Sequence, residues 1–313
     1  MVFAQILRRL IILSAASVMV SCATYRVLDV EILQPAKIQI EPGRRMALLD
    51  RGLRKENSPI VFSEPLGDVE LIREFANGLN SVMTEMEYDT VLMLMGKERF
   101  FVKDNVYPFL LPADSVSAWC SKFNVDYIIS RDMVYFEKKG YYLGAKMKVS
   151  LYKNDAQTAL DSITLDRLLP YSEYEDTDLL LQDLHVIFWD QGEKYARRII
   201  PYWAETTRRV YNHGKVLGLG DVLLKKGKTD EAIEIWEGAL KLSDKMAIQA
   251  SINLAWIYEN AGNFDYALTL LQEAKTLAEQ KGIHNQDIIY LEKYIQTIQQ
   301  RIQQHEILNQ QIN

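Results

Sequence analysis

The amino-acid sequence predicts an α+β protein, in which a mixed α/β domain with an antiparallel meander precedes an all-α domain of helical hairpins. Three observations lead to this fold class. Short apolar runs alternate with amphipathic segments up to residue 123, a strictly alternating run follows at 142–152, and small and large residues recur at a spacing of 35 after residue 201. Alternating strands and helices are typical of an open sheet, whereas a long repeat of this kind is typical of stacked helices.

The chain is long enough for two domains after a separate N-terminal segment. Its 313 residues are 48% hydrophobic and 25% charged, which is an ordinary globular composition. Arg8 and Arg9 precede an apolar run at 10–20 that is too short to span a bilayer permanently, as is typical of a secretory signal. We therefore predict a signal segment at 1–21, a mixed α/β domain at 22–200 and an α-helical domain at 201–313.

The end of this segment, Met19 to Cys22, has the sequence MVSC and resembles a bacterial lipobox with Met in place of the usual Leu. The resemblance implies that the Cys22 thiol takes a diacylglycerol and becomes the new N-terminus. The alternative is a plain signal peptide with Cys22 near the cut by chance. Ala23 stands where inner-membrane retention in many Gram-negative bacteria uses Asp, so the resemblance implies the outer membrane, with the periplasmic face expected.

The charge of the chain argues against two classes of partner, and its cysteine content argues against an internal disulfide. Without residues 1–21 the chain loses Arg8 and Arg9, so its formal net charge of −6 becomes −8. A mildly acidic protein is poorly suited to nucleic acid or to anionic lipid headgroups. Cys120 is the only cysteine besides Cys22, so we expect a buried, inert thiol and no internal disulfide.

The first part of the α/β domain is predicted from periodicity. Alternation with a period of two indicates a half-buried strand, a short continuous apolar run indicates a strand buried on both faces, and steps of three and four indicate an amphipathic helix. The predicted elements are a strand at 24–40 that is interrupted at Pro35, a strand at Met46–Asp50, a helix at Leu71–Met86, a strand at Asp89–Met95 and a helix at Ser115–Phe123.

A three-stranded antiparallel meander is predicted next. Apolar and polar residues alternate from Leu143 to Leu151, and apolar runs at 125–136 and 158–169 flank them. A helix at 176–199 follows and ends before a proline.

Tyr141, Tyr142 and Tyr152 fall on or near the outer face of this meander. Two interpretations remain open: an exposed aromatic surface for a peptide or glycan, or a face that a helix covers.

The segment after Pro201 contains two similar copies, and no strand is predicted there. The first copy has Gly220, Gly227, Ala232, Trp236 and Ala239, and the second has Leu254, Ala255, Tyr258, Gly262, Ala267, Leu271 and Ala274. Small residues allow two helices of a hairpin to approach, and large residues fill the space beside them. The two turn glycines are expected in a left-handed conformation. This pattern resembles the tetratricopeptide repeat (TPR), and a capping helix is expected from Asp287 onward.

The Gly-Lys-Thr at 227–229 has a second interpretation as a phosphate-binding loop. That loop needs two glycines separated by four residues and opens a helix after a strand. Here Gly220 lies seven residues before Gly227, and the residues between them continue a helical pattern. The sequence therefore favours a turn, and we expect no nucleotide and no other cofactor.

Catalytic and metal-binding patterns are also missing from the sequence. The four histidines are far apart, with no His-x-x-x-His pair, and no Gly-x-Ser-x-Gly or Ser-x-x-Lys motif occurs. We therefore predict no metal site, no catalytic residues and no enzymatic activity.

Over nearly its full length the chain resembles a family of uncharacterised Gram-negative envelope lipoproteins with C-terminal TPR repeats. The resemblance rests on the lipobox and on four stretches: VEILQPA at 30–36, PYWAETTRRVY at 201–211, GKTDEAIEIW at 227–236 and NLAWIYENAGNFDYAL at 253–268. It implies no activity and no functional residues.

We expect an outer-membrane-anchored, non-enzymatic lipoprotein that acts as an interaction or assembly scaffold in the cell envelope and offers its TPR groove to a protein or peptide partner. The alternative is a glycan-binding or hydrolytic lipoprotein that uses the α/β domain.

Overall fold

A computed structural model describes residues 25–54, 66–94, 110–170 and 177–312. The predicted signal segment and Cys22 lie outside these residues. None of the described helices combines the length and the apolar character that crossing a membrane requires.

The described part of the chain contains seven strands and eight helices. The strands are β1 (Tyr25–Gln34), β2 (Met46–Arg54), β3 (Leu92–Leu94), β4 (Tyr127–Lys139), β5 (Tyr142–Lys153), β6 (Asp161–Pro170) and β7 (Tyr202–Tyr211). The helices are α1 (Leu66–Glu85), α2 (Ala113–Phe123), α3 (Thr177–Ile199), α4 (Gly214–Lys225), α5 (Thr229–Ala239), α6 (Asp244–Asn260), α7 (Phe264–Gln280) and α8 (Gln286–Ile312).

The chain divides into two compact units. Among the described residues, the sheet unit comprises those from 33 to 202 and from 307 to 312, and the helical unit comprises those from 25 to 32 and from 203 to 306. Residues 25–32, which the sequence places with the α/β domain, are therefore part of the helical unit.

The sheet unit is built on a five-stranded mixed sheet with the strand order β3-β2-β4-β5-β6. Strand β2 runs parallel to β3 and β4, whereas β4, β5 and β6 are antiparallel neighbours. Val149 of β5, for example, lies opposite Arg131 on one side and Ile163 on the other. The predicted meander is confirmed, and so is the order β2, α1, β3, α2 before it. The first predicted strand ends at Gln34, before Pro35, and lies outside this sheet.

The core of the sheet unit lies between the sheet and helices α1 and α3. The apolar residues of β5 from Leu143 to Leu151 that share one face are fully buried, and they pack in one cluster with Phe75 of α1 and Phe188 of α3. Full burial of each large apolar side chain contributes about 1.5–3 kcal/mol. The alternation that predicted β5 therefore also predicted which of its faces meets the core.

The other face of the meander is covered near one end by α2. Tyr152 is buried against Val116 and Cys120, and its hydroxyl oxygen accepts a hydrogen bond from the Leu111 N–H at 3.0 Å. Tyr141, by contrast, is 79% exposed. The interpretation in which all three tyrosines form one exposed aromatic surface is therefore wrong, because a helix covers the third.

Cys120 is a buried free thiol, as predicted. Burial is the main cause that raises the pKa of this thiol to about 11, and the charges of Asp126 and Asp155 act in the same direction. The thiolate, which is the nucleophilic form, is therefore scarce at neutral pH.

Helices α1 and α3 cross in close contact, and this crossing was not predicted from the sequence. A Cβ atom at Gly78 would overlap the backbone carbonyl of Trp189, and a Cβ atom at Gly192 would overlap the backbone carbonyl of Phe75. Each glycine therefore admits the backbone of the other helix, and no side chain fits at either position without moving one of the helices apart.

The prediction that no strand follows Pro201 is wrong. Strand β7 spans Tyr202–Tyr211 and pairs with β1 in a two-stranded sheet. Arg208 stands at a buried position of this strand, so a charged residue occupies a place where the period-two pattern has an apolar one. Because of this arginine, the apolar alternation that predicts a strand is missing from this segment.

Replacing Gly78 by Ala should destabilise the sheet unit by about 1–3 kcal/mol or more, because the added methyl group forces two packed backbones apart. Urea-induced unfolding measures the loss. Gly238→Ala is the control, because a Cβ atom there meets nothing within 4 Å and Ala is favoured over Gly within a helix by up to about 1 kcal/mol. Equal effects of the two substitutions would contradict the crossing.

Candidate functional site

The helical hairpins turn at the predicted glycines. Gly227 has a φ of 73° and Gly262 a φ of 75°, the left-handed conformation expected of both. In each turn the next residue closes the helix end: the Lys228 N–H donates to the Leu223 carbonyl at 3.0 Å, and the Asn263 N–H donates to the Tyr258 carbonyl at 2.8 Å. The Lys228 ammonium pairs with the Glu231 carboxylate at 2.6 Å. The geometry is that of two equivalent helix-ending turns, not of a loop that converges on phosphate.

The predicted packing residues lie where the two helices of each hairpin meet. Those that are fully buried are Gly220, Ala232, Trp236, Ala239, Leu254, Ala255, Ala267, Leu271 and Ala274. A Cβ atom at Gly220 would overlap the Trp236 indole, whose Nε1–H donates to the Leu217 carbonyl at 3.3 Å. Tyr258 is half-buried and meets the Tyr266 ring edge-on, with ring centroids 4.5 Å apart. Within each hairpin, small residues therefore leave the space that the large residues of the hairpin fill.

Strand β7 is bound by polar side chains of α6 and α8. The Asn253 amide of α6 makes two hydrogen bonds with the backbone of Tyr211: its Oδ1 accepts from the N–H at 2.7 Å, and its Nδ2 donates to the carbonyl at 2.8 Å. A buried side-chain amide thus replaces the peptide group of a neighbouring strand.

The Tyr211 side chain extends these contacts to α8. Its hydroxyl donates to Asp287 Oδ1 at 2.9 Å, and the Gln249 amide of α6 donates to Asp287 Oδ2 at 2.8 Å. Burial raises the pKa of Tyr211, and the neighbouring Asp287 carboxylate raises it further. The hydroxyl therefore stays a hydrogen-bond donor at physiological pH.

An ion pair between Arg208 and Glu259 lies at the centre of this arrangement. The guanidinium meets both carboxylate oxygens, at 2.8 and 2.6 Å, and each side chain is only 5% exposed. The Tyr294 hydroxyl of α8 donates to Glu259 Oε2 at 2.7 Å, and Arg301 Nη1 lies 3.4 Å from Oε1. Burial lowers the pKa of Arg208, but the hydrogen bonds and charge of Glu259 outweigh burial, and the net pKa is raised.

Arg209, the next residue of β7, is held between two aromatic rings. Its guanidinium carbon lies 4.3 Å from the ring centroid of Tyr25 and 4.5 Å from that of Tyr290, distances typical of cation–π contacts. The Arg209 N–H donates to the Tyr290 hydroxyl oxygen at 3.0 Å. Strand β1 therefore joins β7 and α8 through this arginine.

Strand β1 is also connected to the first helix of the hairpins. Arg26 Nε donates to the buried Asp221 carboxylate at 2.5 Å, and Lys225 lies 2.8 Å from its other oxygen. Burial raises the pKa of Asp221, but the hydrogen bonds from Lys225 and Arg26 outweigh it and hold the pKa below its usual value. Asp221 therefore stays charged and keeps β1 against α4.

The sequence led us to expect a groove on the hairpins that is open to a partner, whereas these contacts show polar groups of the hairpins already bound within the chain. We name the surface formed by Gln249, Asn253, Glu259, Asp287 and Tyr294 the inner polar surface of the hairpins. All five side chains contact β7 or another member of the surface. The amide and carboxylate groups of this surface can bind the backbone and the arginine side chains of an extended peptide. In this protein they bind strand β7 of the same chain.

Sequence reasoning missed Glu259, although one signal was present. It follows Ile252 and Ala255 at seven and four residues, so a carboxylate stands on the buried stripe of α6. A charge on an apolar helical stripe indicates a buried partner of opposite charge. The identity of that partner, Arg208 at 51 residues' distance in the sequence, carries no local signal.

A second buried charged cluster lies in the sheet unit, where parallel strands β2 and β4 are paired. The Arg131 guanidinium binds both Asp50 oxygens at 2.8 and 2.6 Å, and Arg51 Nη1 lies 3.2 Å from Asp132 Oδ1. Asp132 stands at a β-bulge between Arg131 and Met133. Two hydroxyls also donate to its carboxylate, those of Ser130 at 2.7 Å and of Ser150 at 2.5 Å. Each carboxylate is thus neutralised by an arginine.

Within the described ranges, no three His, Cys, Asp or Glu side chains are grouped so that they could hold a metal ion. The expected absence of metal and cofactor stays a prediction.

Residues 219–300 match the model of a family described as a domain of unknown function (DUF6340). The match runs from α4 into α8 and supports the expectation of an uncharacterised family for this part of the chain. No curated protein matches the chain.

Solved structures that are similar to the chain include the following two, both at low identity. The PelC dodecamer from Paraburkholderia phytofirmans is 11% identical, with a TM-score of 0.31 over 56% of this chain and 99% of that chain. The hypothetical protein CT253 from Chlamydia trachomatis is 12% identical, with a TM-score of 0.29 over 49% of this chain and 96% of that chain. At TM-scores this low, the similarity carries no argument about this protein.

Glu259→Gln should destabilise the helical unit by about 3–5 kcal/mol, because it leaves the Arg208 charge buried without its counter-ion. The free energy of unfolding in urea measures the effect. Glu279→Gln removes an exposed carboxylate 3.7 Å from Lys275 and should change stability by no more than about 0.5 kcal/mol. A loss at Glu259 as small as that at Glu279 would show that the buried pair is not a main support of the unit.

Proposed function

We propose that this protein is an outer-membrane-anchored lipoprotein that acts as a non-enzymatic interaction or assembly scaffold in the cell envelope. The lipid on Cys22 holds it at the membrane, on the periplasmic face. The α-helical hairpins, which we assign to the TPR class, carry the partner surface.

Repetition within the helical unit supports the TPR class. Hairpins α4–α5 and α6–α7 share the glycine turn and the small-against-large packing at matching positions, and α8 follows them as a cap. Stacked hairpins of this kind bury one continuous core and leave their outer surfaces for partners. Both features are those expected of a scaffold.

The observation that carries the proposal is an exposed stripe on α4, the first helix of the stack. Lys215, Leu219 and Val222 are four and three residues apart, so they lie on one side of the helix, and Lys226, the residue after its last turn, continues this spacing. Leu219 is 48% exposed and Val222 is 45% exposed. An apolar centre between two lysines is complementary to an acidic segment that carries apolar side chains, and we assign such a segment of another envelope protein as the partner.

This surface replaces the inner polar surface as the place of binding. A partner peptide on the inner polar surface has to displace β7 and expose the Arg208–Glu259 pair, which costs several kcal/mol. A partner on the α4 stripe displaces only water. The scaffold function therefore fits the outer stripe better.

The alternative, a glycan-binding or hydrolytic lipoprotein, rests on the charged cluster of the sheet unit. Asp50 and Asp132 both lie where β2 and β4 are paired, which is a common place for ligands in open sheets. Their oxygens already bind Arg131, Arg51 and serine hydroxyls, so a ligand has to compete with these groups. We therefore favour the scaffold.

The anchor is tested by Cys22→Ala. The variant should lose metabolic labelling with a palmitate analogue and move from the membrane fraction to the soluble fraction, because no other lipid attachment site is proposed. Cys120→Ala should leave both readouts unchanged, since that thiol is buried. Labelling of the Cys22 variant at the level of the unchanged protein would contradict the lipobox.

The partner surface is tested by a photo-crosslinking amino acid at position 219 or 222 in the native envelope. Crosslinks to one acidic envelope protein are expected from both positions, and Lys215→Glu combined with Lys226→Glu should abolish them by charge repulsion. The matched control is position 289, because Ile289 of α8 is exposed to a similar degree. The same crosslinked species from position 289, or none from α4, would contradict the α4 stripe as the partner surface.

A further inference from the structure

The proposed lipid attachment site is close in the sequence to β1, the first strand of the described residues. Cys22 precedes the start of β1 at Tyr25 by three residues. A fully extended chain spans at most about 3.6 Å per residue, so the Cα atoms of Cys22 and Tyr25 are no more than about 11 Å apart. The acyl chains of Cys22 lie in the hydrocarbon layer, which keeps its backbone at the headgroup layer. Tyr25 therefore lies no more than about 11 Å from the headgroup layer.

The side chains around Tyr25 are of the kinds that membrane interfaces favour. The Arg209 guanidinium lies over the Tyr25 ring, and the Tyr25 and Tyr211 rings meet edge-on with centroids 5.7 Å apart. Tyrosine places an apolar ring and a polar hydroxyl at the headgroup level, and arginine reaches phosphate oxygens while its stem stays among apolar groups.

The exposed face of β1 changes character with distance from the anchor. Val27 is 56% exposed, and the next two residues on the same face, Asp29 and Glu31, are exposed and acidic. With a rise of about 3.3 Å per residue, Glu31 lies about 13 Å farther along the strand than Val27. The apolar residue is thus near the lipid attachment, and the carboxylates, which phosphate groups repel, are farther away.

We infer that the start of β1, with Tyr25, Val27 and Arg209, is a membrane-contacting surface that rests on phospholipid headgroups. We name it the headgroup surface. This inference rests on the proposed lipidation of Cys22. The acyl chains supply the affinity, so the net negative charge of the mature protein does not oppose the contact. The short tether then fixes which end of the strand meets the bilayer.

The test uses the full acylated chain with a nitroxide attached at Val27→Cys, and the matched control carries the same label at Glu31→Cys on the same strand face. Cys120 is buried and the Cys22 sulfur is acylated, so the added cysteine is the reactive thiol. Both proteins are placed in vesicles of phosphatidylethanolamine and phosphatidylglycerol that contain a nickel-chelating headgroup lipid. A larger loss of nitroxide signal is expected at position 27 than at position 31.

A second variant tests the tether itself. A flexible Gly-Ser linker of about twelve residues between Ala23 and Thr24 adds an average span of about 20 Å. The linker protein should still float with the vesicles, but the loss of nitroxide signal at position 27 should fall to that at position 31.

The outcomes separate the anchor from the surface. Equal signal loss at positions 27 and 31 in a protein that floats with the vesicles overturns the headgroup surface and leaves the anchor intact. A protein that does not float overturns the lipid anchor and the headgroup surface together.

Discussion

The helical unit depends on the buried ion pair between Arg208 and Glu259. Removing two charges from water costs several kcal/mol per ion, and this cost is recovered only when both partners are fully hydrogen-bonded. Here the pair is bidentate, and Tyr294 and Arg301 also contact the carboxylate. The consequence is specificity of position. The contacts of the carboxylate with β7 and α8 therefore favour this placement of the strand against α6 and α8.

That arrangement decides how the hairpins can function. Stacked helical hairpins often present extended surfaces for binding, and the inner polar surface has amide and carboxylate groups that can bind an extended peptide. In this protein β7 takes those groups, with Asn253 bound to its backbone and Glu259 to its arginine. The inner polar surface is therefore occupied within the chain itself, and we propose the exposed α4 stripe as the place where a partner binds.

Strand β1 connects the proposed lipid anchor with the proposed partner surface. Its first residue follows Cys22 closely, and Arg26 on the same strand binds Asp221 of α4, the helix that carries the exposed stripe. In the proposed arrangement, strand β1 between the lipid on Cys22 and α4 would keep the stripe at a defined height above the bilayer. A flexible linker would not do so, because its span varies with its conformation. A scaffold that presents a partner at a membrane benefits from such a fixed distance.

The sequence by itself determined the elements whose signals are local. The steps of three and four in α1, the alternation in β5 and the two turn glycines each follow from the geometry of a helix, a strand or a left-handed residue, and each was predicted. Only the tertiary structure decided the rest. Three features bring together residues that are far apart in the chain: the crossing of α1 and α3 at Gly78 and Gly192, the burial of Tyr152 under α2, and the placement of β7. These contacts stabilise the fold only once distant parts of the chain have come together, so no short stretch of sequence predicts them. In addition, Arg208 occupies a position where an apolar residue is expected, and strand β7 was therefore not predicted.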